Sequence, residues 1–590
     1  MEIQQPLPAA HAPASESTVR APMSPHTRSA LGVTGAALLL GALGDALLRP
    51  TPWGLNVALW TVALVAAAAL LQGWADTDDR VRGWMPVALV IAALLAWRDS
   101  PTLKGMDLTA LALVLGLAVH RARGGTIRLG GLATYAGGLL ASFAEAAFGS
   151  GLLVSRDVKW GELRRDGWSR HALAVGRGVA LALPLLLLFG VLLSAADAAF
   201  ERLLSTTFRF DLPKTLGHVM LSLVFAWAAG GVLRALVLPG EPVAGRMEGA
   251  AAVKRPSLGI VELGTVLGLL DLLFLSFVLV QLPHFFGSSA LVEAPGTTTY
   301  AEYARRGFFE LCAVAGLVLP MLLGAHWLLR KDGRQERVFR VLSGAMVGLV
   351  FVMIASGLHR MRLYQTAYGL TELRLYTTAF MLWLTAVFGW FAWTVLRGRR
   401  ERFAFGALAA ALEGLVILHA VNPDALIVRV NATREASIRF DARYAASLSA
   451  DAVPALLAAL PTLPEADRCQ AAGQLLRRWD AKQADWRAWS LGRNRALSQV
   501  DANAARLAAM ECADAAVAPA TATTATTSTT TTTTAPAIET AAPGATAGAA
   551  PQSAGASTIS PPAAAPAERA PGVTAEPIPV APPAPAGARP

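Results

Sequence analysis

The chain contains a nearly unbroken series of apolar runs between Ser29 and Ala420. As helices, most of these runs would be about as long as a bilayer is thick. A helix needs about 20 apolar residues to cross the hydrocarbon core of a membrane. Hydrophobic residues make up 54% of the chain and charged residues only 16%, whereas ordinary soluble domains are about 25% charged. We therefore predict an all-α fold, a polytopic bundle of transmembrane helices.

Nine runs are long enough to be predicted as membrane spans directly. They are Ser29–Leu48, Trp53–Gln72, Leu173–Ala196, Leu216–Leu238, Gly259–Leu282, Gly307–Leu329, Phe339–Gly357, Leu375–Leu396 and Phe403–Ala420. Two shorter runs, Trp84–Trp97 and Met106–His120, predict a tight transmembrane hairpin. The segment Leu129–Leu153 has small residues at four-residue spacing, which allow close helix packing, and is either a span or an interfacial helix. The count is eleven or twelve spans, and we favour eleven.

Arginine clusters between the runs predict the orientation, because cytoplasmic loops carry an excess of Lys and Arg. One cluster lies between Arg330 and Arg340 and a second between Arg397 and Arg402. Both are predicted to be cytoplasmic. The loops His284–Arg306 and His359–Arg374, and everything after Ala420, then lie outside.

The remaining parts of the chain are polar. Residues 1–28 form an N-terminal tail, 29–172 and 173–421 two transmembrane regions, and 422–512 a predicted soluble unit with helices at Asp441–Leu460, Glu465–Trp479 and Asp485–Ala509. Residues 513–590 are rich in Ala, Thr and Pro and predict a disordered tail. Cys469 and Cys512 pair if this region is outside the cytoplasm; two free thiols are the alternative.

Known catalytic signatures are missing from the sequence. It has no phosphate-binding loop, no GxGxxG, no HExxH, no CxxC and no GxSxG. No cofactor or metal site is predicted, and an enzymatic role is not favoured. The net charge of +10 comes from arginine clusters at span ends, so they predict contact with lipid headgroups, and no nucleic acid partner is expected.

Alternation of helix direction brings a set of polar residues to one face, predicted to be the outer one. Arg360, Tyr364 and Tyr368 recur every four residues, and Thr371 suits the cap of the following helix, with Glu372 in its first turn. The cluster is either a set of membrane anchors or a binding pocket. Its members are Arg305, Arg306, Glu310, His359, Arg360, Tyr364, Tyr368, Thr371, Glu372, Arg374, Asn422 and Asp424, with His284 and His419 beside them.

Acidic residues inside the apolar runs need a separate explanation, because an Asp near the centre of a span costs about 2.5–3.5 kcal/mol on insertion scales. Asp271 and Glu413 lie in the middle of spans, and Glu145 lies in the doubtful segment. They form an ion or proton path, or they are satisfied by hydrogen bonds and by pairing with an arginine such as Arg234.

Several motifs occur in an order that resembles a known family. They are Arg305-Arg306-Gly307-Phe308-Phe309-Glu310-Leu311, Arg360-Met361, Tyr368-Gly369-Leu370-Thr371-Glu372-Leu373-Arg374-Leu375-Tyr376, Asn422-Pro423-Asp424-Ala425-Leu426-Ile427 and Leu448-Ser449 with Asp451-Ala452-Val453-Pro454. Together they resemble the bacterial membrane proteins grouped as domains of unknown function 4153 and 4173. The resemblance implies a polytopic protein of the bacterial cytoplasmic membrane and no particular activity.

Three functions are compatible with these patterns. The first is envelope sensing or scaffolding, in which the outer cluster binds a ligand, a lipid headgroup or a protein partner and the soluble unit docks over it. The second is a secondary transporter that uses Asp271, Glu413 and Glu145. The third is an enzyme for a lipid-linked substrate with Glu310, His359 and Arg360 in its site. The oligomeric state is not predicted.

Overall fold

A computed structural model describes residues 23–73, 83–162, 212–238, 258–286, 308–329, 333–434, 440–479 and 485–510, with scattered positions between 175 and 200. Within these ranges the chain is helical and forms no β-strand. The predicted span Leu173–Ala196 is described only at scattered positions. Arg305, Arg306, Cys512 and the predicted disordered tail lie outside the described residues.

Eleven helices form the membrane part of the described chain. They are α1 (Pro25–Leu48), α2 (Leu55–Gln72), α3 (Trp84–Trp97), α4 (Pro101–Ala122), α5 (Leu132–Leu152), α6 (Leu212–Val237), α7 (Ile260–Phe286), α8 (Phe308–Leu328), α9 (Gly333–Tyr368), α10 (Glu372–Thr394) and α11 (Phe403–Val421). Ten of them are long and apolar enough to cross a membrane, and α3 is a shorter apolar helix. The predicted all-α transmembrane bundle is confirmed.

The two faces of the bundle differ in the chain segments that contact each other there. At one face the chain between α1 and α2 contacts the C-terminal helices, since the Leu55 amide donates to the Trp489 carbonyl at 2.8 Å and Arg487 donates to the Ala46 carbonyl at 2.9 Å. We call this the junction face. At the opposite face, Ile127 packs with Ala404 at the start of α11, beside the arginines between α10 and α11. We call this the arginine-rich face.

Helix α5 begins at the arginine-rich face, and the chain returns to that face after the helix. Helix α4 ends there next to Arg123, and Glu162, which follows α5, accepts a hydrogen bond from the Ser24 hydroxyl at the start of α1 at 2.6 Å. Midway along α5, Glu145 lies 2.8 Å from Arg234 and 3.7 Å from Arg123. Length and composition allow α5 to cross a membrane, and the choice between eleven and twelve spans stays a prediction.

The predicted span Leu173–Ala196 falls in an interval whose described borders lie at opposite faces. Glu162 is at the arginine-rich face. Near the start of α6, His218 lies 2.6 Å from Asp45 near the end of α1, at the junction face.

The C-terminal residues form a compact helical unit on the junction face. Its helices are α12 (Pro423–Ala432), α13 (Ala442–Ser447), α14 (Val453–Ala459), α15 (Glu465–Arg478), α16 (Leu491–Ala502) and α17 (Ala504–Ala508). Their shared hydrophobic core includes Leu370 and Leu375 at the α9–α10 turn. The unit is therefore packed on the membrane helices.

Two of the three helices predicted in this unit are interrupted. The predicted helix Asp441–Leu460 breaks after Ser447, because Ser449 caps a short 3-10 turn and Pro454 lies in the first turn of α14, where its missing amide hydrogen is tolerated. The prediction for Asp485–Ala509 divides into a 3-10 turn, α16 and α17. Glu465–Trp479 agrees with α15 to within one residue.

The cysteines differ in state. Cys312 is free and buried in α8, as expected for a residue inside an apolar run. Cys469, in α15, takes part in a disulfide bond. Its predicted partner, Cys512, lies outside the described residues.

Candidate functional site

A buried carboxylate, Asp451, ties the helical unit to the turn between α3 and α4. Its Oδ2 accepts hydrogen bonds from the backbone amides of Asp99 and Ser100 at 2.5 and 3.1 Å, and its Oδ1 lies 3.6 Å from the Arg98 guanidinium. The Asp451 side chain is only 2% exposed. Because a buried charge is costly unless it is paired and hydrogen-bonded, this arrangement fixes the position of the unit on the bundle.

Asp99 makes the reciprocal contact from the bundle to the unit. Its carboxylate lies 2.6 Å from Lys104 Nζ in α4 and 3.2 Å from Arg493 in α16. Gly492, the neighbour of Arg493, lets α16 pack closely against Asp451, because a Cβ atom at position 492 would lie 2.2 Å from Asp451 Oδ1. The first turn of α16 can therefore lie against a carboxylate, which the helix dipole favours.

The turn between α11 and α12 forms the third part of the same network. Asn422 has a φ of 55°, in the left-handed region that Asn adopts more readily than most residues. Its side chain accepts a hydrogen bond from the Ala425 amide and donates one to the Asp451 carbonyl, both at 3.3 Å. Asp424 is fully buried and accepts a hydrogen bond from the Ser449 hydroxyl. Two residues of the predicted polar cluster, Asn422 and Asp424, thus belong to this network.

Below the turn lies a buried pair formed by His419 and Asp107. Their side chains are 0% and 1% exposed, and His419 Nε2 is 3.2 Å from Asp107 Oδ2. His419 Nδ1 lies 2.9 Å from the Leu415 carbonyl, which can only accept, so Nδ1 carries a hydrogen. Each of these two buried side chains therefore has the other as a polar partner.

We refer to this set of residues as the junction network. Arg98 completes it, since its Nε donates to the His419 carbonyl at 2.9 Å while its guanidinium faces Asp451. The network joins the α3–α4 turn, the α11–α12 turn and the helical unit. Its members are Arg98, Asp99, Ser100, Lys104, Asp107, His419, Asn422, Asp424, Ser449, Asp451 and Arg493.

The pKa of Asp424 is raised from an ordinary value of 3.8 to about 6, chiefly because burial disfavours the charged carboxylate; the hydrogen bond from Ser449 opposes this shift, and nearby Glu372 and Asp451 add to it. Burial also raises the pKa of Asp451, against the effects of the Asp99 amide and Arg98. An acid whose pKa is higher in the folded state contributes stability at low pH, and loses it as the pH rises through the folded pKa.

We therefore expect the helical unit to be held more firmly near pH 4 than at neutral pH. The Asp424 contribution should decline between about pH 4 and about pH 6 by up to about 3 kcal/mol, at about 1.4 kcal/mol per pKa unit. Asp424→Asn, which resembles the protonated acid, should remove this part of the pH dependence in thermal unfolding of the purified protein. Asp501→Asn, on the exposed side of α16, is the control. An unchanged pH profile in Asp424→Asn would contradict the assignment.

The other predicted members of the polar cluster form a separate group at the α9–α10 turn. Helix α9 continues to Tyr368, so the predicted stripe of Arg360, Tyr364 and Tyr368 lies on a helix. The Arg374 guanidinium lies 4.0 Å from the centre of the Tyr364 ring and donates to the Gly369 carbonyl at 2.5 Å. Arg360 donates to Gln281 of α7. These contacts are local and join neighbouring helices.

The remaining members lie at the borders of these two groups. Thr371 occupies the N-cap of α10 but its side chain makes no capping hydrogen bond; the amide of Glu372 bonds to the Tyr444 hydroxyl at 2.9 Å. Glu310, in the first turn of α8, and His359, in α9, are exposed. His284 lies in α7, with its side chain outside the described set.

The three intramembrane acids have separate surroundings. Glu145 pairs with Arg234 and Arg123, the arginine pairing that was one of the two predictions for it. Both carboxylate oxygens of Asp271 are buried and have no hydrogen-bond partner among the described residues. Glu413 is exposed on α11, beside an apolar groove that α11 forms with α3. They do not form one path in the described part of the chain.

Sequence reasoning missed most of the junction network. Asp99 and Lys104 looked like ordinary loop charges because the predicted span began at Met106, whereas α4 begins at Pro101. Asp107 and His419 are the polar residues nearest the ends of two apolar runs. The cost of burying polar side chains there could have indicated that the two residues are paired. Ser449 and Asp451 were noticed only as part of a family motif.

A cavity of about 700 Å³ lies between the bundle and the helical unit. Its wall on the bundle side includes Trp53, Asp99, Lys104 and Gly105, and its wall on the other side includes residues 447–449, 477–479 and 493. We call it the junction cavity. Its size is typical of sites for small molecules and cofactors. Among the described residues, no three His, Cys, Asp or Glu side chains are grouped to hold a metal ion.

Comparison with curated proteins and with solved structures gave no significant match to this chain. The family model described as "Domain of unknown function (DUF4153)" matches residues 85–459. This range begins in α3 and ends with α14, so it contains nine of the eleven helices of the membrane part, α3 to α11, and every member of the junction network except Arg493. The match covers more than half of the chain, and the chain belongs to the DUF4153 family.

Proposed function

We propose that this protein is a sensor or scaffold of the bacterial cytoplasmic membrane. In this proposal the helical unit lies on the outer, periplasmic side and receives a ligand or an envelope partner. The junction network then transmits the position of the unit to the membrane helices. The observation that carries the proposal is the buried set of charges that couples Asp451 of the unit to the α3–α4 and α11–α12 turns.

The coupling argument follows from the cost of separating these groups. Moving the unit would separate Asp451 from the Arg98 guanidinium and from the amide of Asp99, and breaking a buried charge pair of this kind costs several kcal/mol. The unit and the turns therefore move together or separate as one step. Such two-state elements are what a sensing or scaffolding protein needs to convert an outside contact into a change in the membrane.

Two observations support an outer location for the helical unit. The opposite face carries the arginines between α10 and α11, and excess arginine marks the cytoplasmic side. Cys469 is disulfide-bonded, and disulfides persist in oxidising compartments outside the cytoplasm.

The location is tested by labelling Cys469 in intact cells with a membrane-impermeant maleimide, in a Cys312→Ala background. We expect no labelling before reduction and labelling from outside after reduction. The same protocol applied to a cysteine placed at Arg399, on the arginine-rich face, is the control and should label only in broken cells. Labelling of Cys469 only in broken cells would overturn the proposed orientation.

The role is tested by complementation of a strain that lacks the gene, scored by sensitivity to detergents and other envelope stress. Asp451→Ala should fail to complement at an unchanged membrane level of the protein, and Asp501→Ala, an exposed aspartate of the same unit, should complement. A deletion strain with normal resistance to envelope stress would contradict the sensing or scaffolding role. Transport coupling through Glu145, Asp271 and Glu413 receives no support from their separate surroundings.

A further inference from the structure

We infer that the junction cavity binds the phosphate-bearing headgroup of a membrane lipid. The inference deepens the proposed function, since it names the ligand class of the outer site, and it rests on that proposal only for the side of the membrane. The first argument is position. The cavity lies at the junction face, where helix α4 begins at Pro101 and Trp53 is exposed, and tryptophan is a residue type enriched at the headgroup level of membranes.

The second argument is charge. Four cationic side chains line the cavity, namely Lys104, Arg477, Arg478 and Arg493, against three carboxylates. Two of those carboxylates are already engaged: Asp99 by Lys104 and Arg493, and Asp485 by Arg487, which lies 2.8 Å from it. The cavity therefore keeps an excess of positive charge.

Arg478 is the clearest source of that excess. Its guanidinium donates to the backbone carbonyls of Ala446 and Leu448 at 2.8 and 2.6 Å, and none of its hydrogen bonds among the described residues goes to a carboxylate. These bonds fix one edge of the planar guanidinium. Arginine presents five donors in a fork that suits phosphate oxygens, so donors remain for an anion in the cavity.

The third argument is the apolar part of the wall, which suits the glycerol and upper acyl carbons of a lipid. Leu108 and Gly105 of α4 and Leu497 of α16 line this part. A Cβ atom at Gly105 would meet no atom within 4 Å, so the helix surface is open there. Exposed neighbours on α4, including Met106 and Thr109, continue this surface toward the bilayer. A headgroup can enter from the membrane while its chains stay in lipid.

The open space at Gly105 provides a variant that fills the cavity without removing a charge. Gly105→Phe places a ring in the cavity, on a helix that gains from losing a glycine. Gly268→Phe in α7 is the matched control, because a Cβ atom there also meets nothing within 4 Å and the position is remote from the cavity lining. Arg478→Gln tests the charge independently.

The experiment is a titration of the purified full-length protein with phosphatidylglycerol, followed by native mass spectrometry. Gly105→Phe and Arg478→Gln should each weaken binding by about tenfold or more. The first variant fills the space for the headgroup, and the second removes a charge-assisted hydrogen bond to it. The Gly268→Phe control should bind as the unchanged protein does. Equal binding by all four proteins would overturn the inference.

A second arm separates a lipid from a free anion. Inorganic phosphate and glycerol phosphate should not displace the lipid at millimolar concentration if the apolar wall contributes. Displacement by inorganic phosphate, with the same loss in Arg478→Gln but not in Gly105→Phe, would overturn the lipid assignment in favour of free phosphate. These results do not depend on Cys469 labelling, so failure of the ligand site and failure of the proposed orientation are distinguishable.

Discussion

Replacing Asp451 with alanine is expected to weaken the attachment of the helical unit to the membrane helices by about 3–5 kcal/mol. The change leaves the Arg98 guanidinium, only 12% exposed, without its carboxylate, and it removes the acceptor for the amides of Asp99 and Ser100. Hydrogen exchange of peptides covering residues 97–104 and 440–460 measures the effect. Both should exchange faster in the variant than in the unchanged protein.

A control and a second variant make this result specific. Asp501→Ala removes an exposed aspartate of the same unit and should leave both peptides unchanged. Gly492→Ala keeps every charge but places a Cβ atom 2.2 Å from Asp451 Oδ1, so it should accelerate exchange in the same two peptides. If Asp451→Ala exchanges as the unchanged protein does, the network does not hold the unit in place.

The His419–Asp107 pair gives the second large expected effect. His419→Leu should destabilise the bundle by about 3–5 kcal/mol, because it leaves the Asp107 carboxylate buried without its partner. Asp107→Leu should have a similar effect. The double replacement should recover most of the loss, since a buried ion pair replaced by apolar side chains is often neutral or stabilising.

Thermal unfolding of the purified protein, followed by the fluorescence of its tryptophans, measures these differences. Asp501→Leu, at an exposed position of α16, is the control for replacing a polar side chain by leucine and should stay within about 0.5 kcal/mol of the unchanged protein. A double variant as unstable as either single variant would show that the cost does not arise from an unpaired charge.

The sequence determined the membrane architecture, because lipid imposes a local requirement. Each span must be apolar over about 20 residues on its own, so helices such as α1 and α8 can be predicted from their own residues. Apolar residues at helical spacing predicted α15, and pairing with an arginine such as Arg234 was one of the two explanations offered for Glu145. The helix break near Pro454 could also have been predicted from the proline, but the apolar residues on both sides of it favoured one continuous helix.

Only the tertiary structure decided the candidate site. Asp99 and Asp451 are 352 positions apart, and each alone is an ordinary charge at a helix end. Their role in the network depends on their being buried together, and this burial depends on how the turns of separate helices meet. Tyr364 and Arg374, which showed the stronger local pattern, form a contact at the rim. Hydropathy is a property of one segment, whereas the pairing of buried charges is a property of several segments at once.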